Sequence, residues 1–273
     1  MELLIGKEIS NRIREELKEN LAKLDRKLKL VCLVNKEDAS SIGYSKSQAK
    51  LASNLGIDYE LVEMDPTKEA YEKEINRVND DDLFDGCLIT RPLFKGANEE
   101  EIISLLNPLK DVDGMNATSL GELLINKEDA IKPATPRAIL ELLKGYNIEI
   151  KGKDVLVVGR SISVGKPVAL MLLNEHGTVS IAHTRTVDLN SKLGQADIVI
   201  AAVGRPHIID SSNCKEGAIV IDAGIHYLEE GIIGDVVPNE KIKAISKVTG
   251  GVGILTSTLI MDNVYRCYFR RNK

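Results

Sequence analysis

Short runs of apolar, β-branched residues alternate along the chain with longer segments in which apolar residues recur every three or four positions. The first pattern predicts buried strands, and the second predicts amphipathic helices. Their alternation from one end to the other predicts an α/β fold with mainly parallel sheets. In the first half of the chain, the predicted strands are Leu30–Val34, Tyr59–Glu63 and Gly86–Thr90, and the predicted helices lie near Ser41–Leu55, Lys68–Val78 and Glu99–Leu106.

A second series of strands and helices begins at Asp154. A long helix over Thr135–Tyr146 connects the two series, and Pro136 suits its first turn, where a backbone N–H is not needed. We therefore predict two α/β domains with a cleft between them, where small-molecule chemistry usually takes place. The other predicted elements are the strands Val155–Val158, Thr178–Ala182, Ile198–Ala201 and Ala218–Ile221, a helix starting near Gly165, and a final helix over Thr256–Arg271.

Composition narrows the class of protein. A length of 273 residues is compatible with one large domain or two ordinary ones, and a net charge of −5 gives no general reason to bind nucleic acid or an anionic membrane. No apolar run approaches the ~20 residues that span a bilayer, and the N-terminus is too charged for a signal peptide. The four cysteines lie far apart and the histidines lack metal-ligand spacing, so we expect reduced thiols, no metal and a cytoplasmic location.

The segment from Gly159 to Pro167 directly follows a predicted strand and opens a predicted helix. A glycine turn at this place predicts a phosphate cradle, because the N–H groups at a helix N-terminus are unpaired and carry a partial positive charge. Gly159 allows a sharp turn, and Gly165 allows close approach of helix and ligand. Arg160 and Ser161 stand where a second glycine is common, so a purely structural turn is the alternative.

Polar residues in the first half of the chain are candidates for a substrate site. Ser41, Tyr44 and Gln48 share one face of a predicted helix, although a solvated polar face would show the same spacing. Asp113 lies in the sequence Asp-Val-Asp-Gly, for which an ordinary turn is the alternative. Thr90 ends a predicted strand, and ligands collect at the carboxyl ends of parallel strands.

These motifs, in this order, resemble the methylenetetrahydrofolate dehydrogenase/cyclohydrolase family of the FolD type. The resemblance covers nearly the whole chain. It includes Ser41-x-x-Tyr44, Lys110-Asp111-Val112-Asp113-Gly114, Thr135-Pro136, Gly159-Arg160-Ser161-x-x-Val164-Gly165-x-Pro167, Thr178 to Thr186, Ala196-Asp197, Val203-Gly204-Arg205-Pro206, Gly217 to Ile225, Gly234-Asp235-Val236 and Gly250-Gly251-Val252-Gly253.

The resemblance implies an enzyme of one-carbon metabolism, oxidoreductase and hydrolase in one chain, that acts on tetrahydrofolate derivatives as a homodimer. It implies a folate-binding, catalytic domain over residues 1–138 plus 255–273, and a Rossmann-like NAD(P)-binding domain over residues 139–254. In the cleft, Gly251 and Val252 would lie where nicotinamide and folate meet. Tyr44 would flank the folate rings, and the Asp113 carboxylate would accept hydrogen bonds from the pterin.

By the same resemblance, the candidate catalytic residues are Tyr44, Gln48 and Asp113. The substrate-binding set adds Thr90, Gly251 and Val252. His183 matches a family position near the cofactor, with a structural role as the alternative. The cofactor-binding candidates are Gly159, Arg160, Ser161, Val164, Gly165, Pro167, His183, Thr184, Arg185, Val203, Gly204 and Ile225.

The chain departs from the family pattern on the substrate side. Gln48 stands at the position of the family's catalytic lysine, and Thr90 stands at that of its partner glutamine. Lys46 and Lys50 lie on other faces of the helix and do not substitute. Because hydride transfer needs no proton transfer, whereas hydrolysis of the methenyl ring does, we predict a dehydrogenase with weak or lost cyclohydrolase activity. Further departures are Ala134, Lys247, Thr249 and Ile254.

The cofactor is expected to be NADP, with NAD as the alternative. A site that selects NAD usually places an acid about 20 residues after the glycine turn. Here no acid lies between the end of the second predicted strand, Ala182, and Asp188, and Arg160 and Arg185 could pair with a 2′-phosphate. Two other functions stay open: a diverged homologue that binds cofactor or folate with little catalysis, and an α/β dehydrogenase with a different substrate.

Overall fold

The computed structural model describes residues 1–229 and 231–273. None of the helices it describes is long and apolar enough to cross a membrane. The helices are α1 (Lys7–Leu21), α2 (Ala39–Leu55), α3 (Lys68–Asp80), α4 (Glu99–Ser104), α5 (Ala117–Leu124), α6 (Ala134–Gly145), α7 (Gly165–Asn174), α8 (Leu189–Leu193) and α9 (Val252–Arg271). The strands are β1 (Glu2–Leu4), β2 (Lys29–Asn35), β3 (Asp58–Met64), β4 (Gly86–Ile89), β5 (Asp154–Val158), β6 (Thr178–Ala182), β7 (Ile198–Ala201), β8 (Ile209–Asp210), β9 (Ile219–Asp222), β10 (His226–Leu228), β11 (Gly231–Ile233), β12 (Val236–Val237) and β13 (Ala244–Ser246).

The chain divides into two compact units, each with its own parallel sheet. The six-strand unit comprises Met1–Asn11 and Thr135–Thr256, and the three-strand unit comprises Arg12–Ala134 and Ser257–Lys273. This division differs from the predicted domain limits at the N-terminus, because β1 pairs in parallel with β13 and so joins the six-stranded sheet. A strand of three residues is too short for a hydrophobic period to show in the sequence.

The sheet of the six-strand unit has the order β1-β13-β9-β7-β5-β6, and all its pairs are parallel. The strands β5, β7 and β9 are buried almost throughout, as their continuous runs of Val, Ile and Ala predict for strands covered on both faces. From β5 the chain winds first to β6 on one side and then to β7 on the other. Ligands in such sheets bind where the winding direction reverses, at the carboxyl ends of the two central strands.

The sheet of the three-strand unit has the order β3-β2-β4, also parallel, with its own reversal between β2 and β4. Five of the seven residues of β2 are apolar and fully buried. Two of them, Leu30 and Cys32, pack in one core cluster with α9, which contributes Ile260 and Val264. The core of this unit therefore combines its early strands with the C-terminal end of the chain.

The predicted α/β class is confirmed, and the predicted strands and helices occur within a few residues of their expected limits. The final helix starts at Val252, four residues before the predicted Thr256 and within the glycine cluster. The patterns gave no prediction for α1, α5, α8, β1, β8, β12, β13 or the antiparallel hairpin of β10 and β11. The missed strands have two or three residues each, and β1 and β13 pair across most of the length of the chain.

Candidate functional site

The turn between β5 and α7 has a shape that only glycine permits at two positions. Gly159 has a φ of 124°, and a Cβ there would lie 2.1 Å from the carbonyl oxygen of Ala202. A Cβ at Gly165 would lie 2.3 Å from the carbonyl oxygen of Gly159. Both contacts are too short for any side chain, so the end of β5, the start of α7 and the loop after β7 approach each other backbone to backbone.

Ser161 stands at the position where a second glycine is common, and its side chain stabilises this turn. Its Oγ accepts hydrogen bonds from the backbone N–H groups of Val164 (3.1 Å) and Gly165 (3.2 Å). Pro167 is buried in the first turn of the ten-residue helix α7, where its ring is compatible with the helix. The turn is therefore held in one shape at a helix N-terminus, which is the arrangement that binds a pyrophosphate.

The turn after β6 carries the predicted residues His183, Thr184 and Arg185. The backbone N–H of His183 donates to Thr186 Oγ1 (2.8 Å), and His183 Nδ1 accepts from the N–H of Arg185 (3.2 Å). The structure therefore gives His183 a role in shaping the turn. The side chains of Arg185 and Arg160 are exposed.

The next acid along the chain, Asp188, is already used as a helix cap. Its Oδ1 accepts from the N–H of Ser191 (3.1 Å) at the start of α8, and Asp188 itself has a φ of 52°. A carboxylate committed to a helix N-terminus is stabilised there. The turn after β6 thus offers one arginine, Arg185, where a ribose-binding acid would otherwise be expected.

The remaining cofactor candidates lie after the next strands of the same sheet. Val203 and Gly204 follow β7, and Ile225 follows β9 with 48% of its surface exposed. Because β6, β5, β7 and β9 are neighbours in parallel, the loops that carry the predicted cofactor residues all lie at the carboxyl edge of one sheet. The predicted substrate residues Gly251 and Val252 also belong to the six-strand unit, at the beginning of α9.

In the three-strand unit, α2 brings Tyr44 and Gln48 together. The helix begins at a side-chain cap, in which Asp38 accepts from the N–H of Ser40, and it ends at Gly56 with a φ of 82°. Gln48 is 1% exposed, and its Nε2 donates to the Tyr44 hydroxyl over 2.6 Å. Its buried Oε1 accepts no hydrogen bond from any side chain or backbone group that the structure describes. A buried acceptor without a donor is costly, so this amide oxygen is a place for a ligand or a water molecule.

Burial and neighbouring charge make the Tyr44 hydroxyl hard to ionise. Burial, with the Asp113 carboxylate as the second cause, raises the pKa of Tyr44 to about 12. Hydrogen bonding to Gln48 and to Ser257 of α9 opposes the shift without cancelling it. Near neutral pH the Tyr44 hydroxyl is therefore a hydrogen-bonding group that keeps its proton.

The charged residues of the motif Lys110-Asp111-Val112-Asp113-Gly114 have different roles. Lys110 is buried and donates to the carbonyls of Val78, Asn79 and Asp81 at the end of α3. The buried Asp111 carboxylate accepts from the N–H groups of Gly114 and Asn116. Both charges are thus used to build the turn, whereas the Asp113 side chain interacts with Arg91 and with the backbone of Ala134.

Asp113 and Arg91 form a pair that we did not assign to the site from the sequence. Arg91 Nη2 lies 3.7 Å from Asp113 Oδ2, and each side chain is 24% exposed. Burial and the nearby Asp111 raise the pKa of Asp113 to about 7, and Arg91 opposes this rise. Arg91 lies two residues after the end of β4, at the carboxyl edge of the sheet, where ligands collect. This position is the feature of the sequence that could have indicated a site residue.

Thr90 is placed differently from a partner for Gln48. Its side chain is 7% exposed, and its hydroxyl donates to the carbonyl oxygen of Leu33 over 3.2 Å. The hydroxyl is thus committed to the neighbouring strand β2. Among the residues that the structure describes, no group of three or more His, Cys, Asp or Glu side chains could hold a metal ion.

Family comparisons match both halves of the chain. The model described as "Tetrahydrofolate dehydrogenase/cyclohydrolase, catalytic domain" matches residues 4–113, and the one described as "Tetrahydrofolate dehydrogenase/cyclohydrolase, NAD(P)-binding domain" matches residues 133–272. The chain belongs to this family. The predicted resemblance is confirmed, and most of the six-strand unit falls in the segment that the family describes as NAD(P)-binding.

Individual relatives cover the chain almost completely. The bifunctional protein FolD of Clostridium perfringens is 39% identical over 270 residues, which are 96% of this chain and 97% of the relative. The crystal structure of the bifunctional enzyme FolD from Campylobacter jejuni is 36% identical, with a TM-score of 0.95 and 99% of each chain covered. The FolD of Trypanosoma brucei, solved in complex with NADP and an inhibitor, is 30% identical, with a TM-score of 0.93 and coverage of 99% and 98%. Family and fold are therefore settled over the full length.

Proposed function

We propose that this protein is an NADP-dependent methylenetetrahydrofolate dehydrogenase whose hydrolysis of the methenyl product is weak or absent. The observation that carries the proposal is Gln48, a buried amide bonded to Tyr44 at the position where the resemblance leads us to expect a lysine. The relatives named above are bifunctional, so the proposal separates this chain from them by one of their two reactions.

The residues of the six-strand unit fit a dinucleotide. Gly159 and Gly165 allow the turn, the start of α7 and the loop after β7 to approach each other backbone to backbone, and Ser161 fixes the backbone at the N-terminus of α7. Gly159, Ser161 and Gly165 would hold the pyrophosphate, and the exposed Arg185 would pair with a 2′-phosphate. NADP, when bound, supplies the acceptor for a hydride.

Loss of a hydride from the methylene carbon of the folate leaves a methenyl cation, whose charge the two adjoining nitrogens share. No proton moves in this step. The three-strand unit therefore needs only to bind and orient the folate, which in the proposed site is the task of Tyr44 and Asp113. Orientation alone supplies much of the rate in such a step.

Hydrolysis of the methenyl cation has different requirements. Water adds to the methenyl carbon and loses a proton, then the bond from that carbon to one ring nitrogen breaks and this nitrogen gains a proton. A group that exchanges a proton near neutral pH typically contributes about 10²–10⁴-fold to such steps. The Gln48 amide cannot do so, the pKa of Tyr44 is raised to about 12, and an arginine keeps its proton.

A second candidate function is a fully bifunctional enzyme that uses Asp113 as its proton carrier. Burial and Asp111 raise the pKa of Asp113 to about 7, within the range of a general base. The resemblance gives this carboxylate to the pterin, and a carboxylate that accepts pterin N–H groups is not available to water. For this reason we favour the monofunctional dehydrogenase.

Steady-state assays of both reactions on the purified protein test the proposal. We expect NADP-dependent oxidation of methylenetetrahydrofolate to exceed hydrolysis of methenyltetrahydrofolate by at least about tenfold, the lower range of proton-transfer catalysis. A hydrolysis rate that matches or exceeds oxidation would support Asp113 as a base. Folate binding without turnover would instead indicate a diverged homologue that has kept its ligands and lost its chemistry.

The choice between NADP and NAD is tested by comparing the KM values of the two cofactors. We expect KM for NADP to be lower than KM for NAD, because Arg185 is exposed beside the sheet edge while Asp188 is committed to α8. The variant Arg185→Ala should lose this preference and leave KM for NAD unchanged. A lower KM for NAD in the unmodified protein would contradict the assignment. We also propose the homodimer that the resemblance implies, which sedimentation equilibrium measures.

A further inference from the structure

A fully buried carboxylate stands behind the loop after β7. Asp235 is 0% exposed and lies between β11 and β12. Its Oδ2 accepts from the backbone N–H groups of Val203 (2.7 Å) and Gly204 (2.9 Å), and its Oδ1 accepts from that of Arg205 (3.0 Å). One side chain thus holds three consecutive peptide groups of a loop about 30 residues earlier in the chain.

His226 completes the set of donors around this carboxylate. Its Nε2 lies 2.8 Å from Asp235 Oδ1, and the ring is only partly exposed. Each carboxylate oxygen therefore receives two hydrogen bonds, which is the full capacity of an acceptor-only group. Hydrogen bonds to an ionised acceptor are short and strong, so they fix the direction of the three peptide groups.

A second buried carboxylate, that of Asp222 at the end of β9, holds Asp235 in turn. Asp222 Oδ1 accepts from the N–H groups of Asp235 (3.1 Å) and Gly224 (2.9 Å). A Cβ at Gly224 would lie 2.2 Å from Asp235 Oδ1, and a Cβ at Gly234 would lie 2.0 Å from Asp222 Oδ2. The two glycines are thus required by the close packing of the carboxylates against the backbone.

We propose that Asp235, held by His226, is a positioning residue for the dinucleotide site. The loop it holds includes Val203 and Gly204, both cofactor candidates, and continues from Ala202, whose carbonyl oxygen packs against Gly159 of the glycine turn. The carboxylate touches the loop from behind and sets the path of its backbone. This inference rests on the proposed cofactor site and goes beyond it by naming the group that shapes one side of that site.

The alternative is that Asp235 only stabilises the fold, and a matched control separates the two. Asp197, at the opposite edge of the same sheet, also accepts a backbone N–H, that of Asp154 (3.0 Å), and it pairs with Lys215 (2.7 Å). Asp197→Asn alters one backbone hydrogen bond and one ion pair far along the strands from the cofactor loops. A merely structural role for Asp235 predicts similar effects of both substitutions on NADP binding.

The experiment measures NADP binding by calorimetry and amide hydrogen exchange of residues 203–205, in the unmodified protein and in four variants. Asp235→Asn should weaken NADP binding on the order of ten- to hundredfold, as expected for lost hydrogen bonds to a charged acceptor, and should speed exchange at 203–205. His226→Leu should show a smaller change in the same direction, and His226→Gln, which keeps a donor, should restore much of it. Asp197→Asn should leave binding and this exchange unchanged.

Equal NADP affinity for Asp235→Asn and Asp197→Asn would overturn the inference. If Asp235→Asn does not fold, the pair His226→Leu and His226→Gln decides, because equal affinities and equal exchange in these two would also overturn it. If the unmodified protein fails to bind NADP, the proposed function fails. Hydrogen exchange at 203–205 still reports, without any cofactor, whether Asp235 sets the loop.

Discussion

The glycine turn after β5 and the polar group formed by Tyr44 and Gln48 differ in whether all their hydrogen-bonding atoms have partners. In the turn, Gly159 and Gly165 make backbone approaches that no side chain could enter, and the Ser161 hydroxyl accepts two backbone N–H groups. In the polar group, Gln48 keeps a buried oxygen without a donor, and the Tyr59 hydroxyl nearby in the same unit is likewise buried without a hydrogen-bonding partner in the described structure.

This difference indicates where the chain can change without losing its fold. A Cβ in the glycine turn would collide with backbone, so the turn tolerates little substitution. At position 48 an amide occupies a buried site at the cost of one unpaired acceptor, which is on the order of 1–3 kcal/mol. The chemistry of the three-strand unit is therefore easier to alter than the shape of the dinucleotide turn, and the departures at Gln48 and Thr90 agree with this.

The largest expected effect is in the glycine turn. Gly165→Ala places a Cβ 2.3 Å from the carbonyl oxygen of Gly159, so either α7 or the turn must move. A displacement of about 1 Å in a site of this kind can lower a reaction rate on the order of 10²-fold. We expect the affinity for NADP to fall by at least that factor. Calorimetric titration with NADP measures the effect.

Gly43→Ala is the matched control for this substitution. Gly43 lies in α2, and a Cβ there would meet no atom within 4 Å. Alanine should stabilise the helix by about 0.5–1 kcal/mol and leave NADP affinity unchanged. An unchanged NADP affinity in Gly165→Ala would show that the turn does not contact the cofactor.

The second prediction concerns the polar group. Gln48→Lys introduces an amine beside the Tyr44 hydroxyl, where the amide nitrogen now lies 2.6 Å from it. Such a group can exchange protons, so we expect hydrolysis of methenyltetrahydrofolate to rise by about 10²-fold while the dehydrogenase rate changes by less than about threefold. Because Thr90 is bonded to Leu33 and gives the new amine no partner, the rise should stay at the lower end of the range for proton-transfer catalysis.

Lys46→Gln provides the control, because it replaces a lysine by a glutamine, the opposite of Gln48→Lys, on an exposed face of α2. It should leave both rates unchanged. If Gln48→Lys folds, binds folate and still shows no gain in hydrolysis, position 48 does not limit that reaction and the proposed division of activities loses its basis.

The parts of this molecule that are local and periodic could be predicted from the sequence. The buried strands β2, β5 and β7 are evident from their continuous apolar runs, and the strand–glycine–helix order is evident from the residues alone. The strand β13 escaped because its three residues, although buried, are too few for a period. The roles of Asp235 and Arg91 escaped because their partners lie about 30 and 22 residues away in the chain, and no spacing rule connects them.

The smallest predicted effect tests the Asp113–Arg91 pair through the pH dependence of stability. Burial raises the pKa of Asp113 from 3.8 to about 7, so the fold favours the protonated acid, and this contribution to stability is lost as the pH rises through about 7. Arg91 stabilises only the ionised form, over a separation of 3.7 Å. Arg91→Leu should therefore lower the free energy of unfolding only slightly at pH 5 and by about 1 kcal/mol at pH 8, as expected for a partly exposed ion pair. Urea denaturation at both pH values measures the difference.

The same pair of measurements in an Asp113→Asn background isolates the charge interaction from packing. With no carboxylate at position 113, removal of the Arg91 guanidinium should change the free energy of unfolding by the same amount at pH 5 and at pH 8. If the cost of Arg91→Leu grows with pH even there, the guanidinium is stabilising a different acid. In that case the charge balance of the three-strand site must be assigned to a partner other than Asp113, and the second candidate base would lose the group that tunes it.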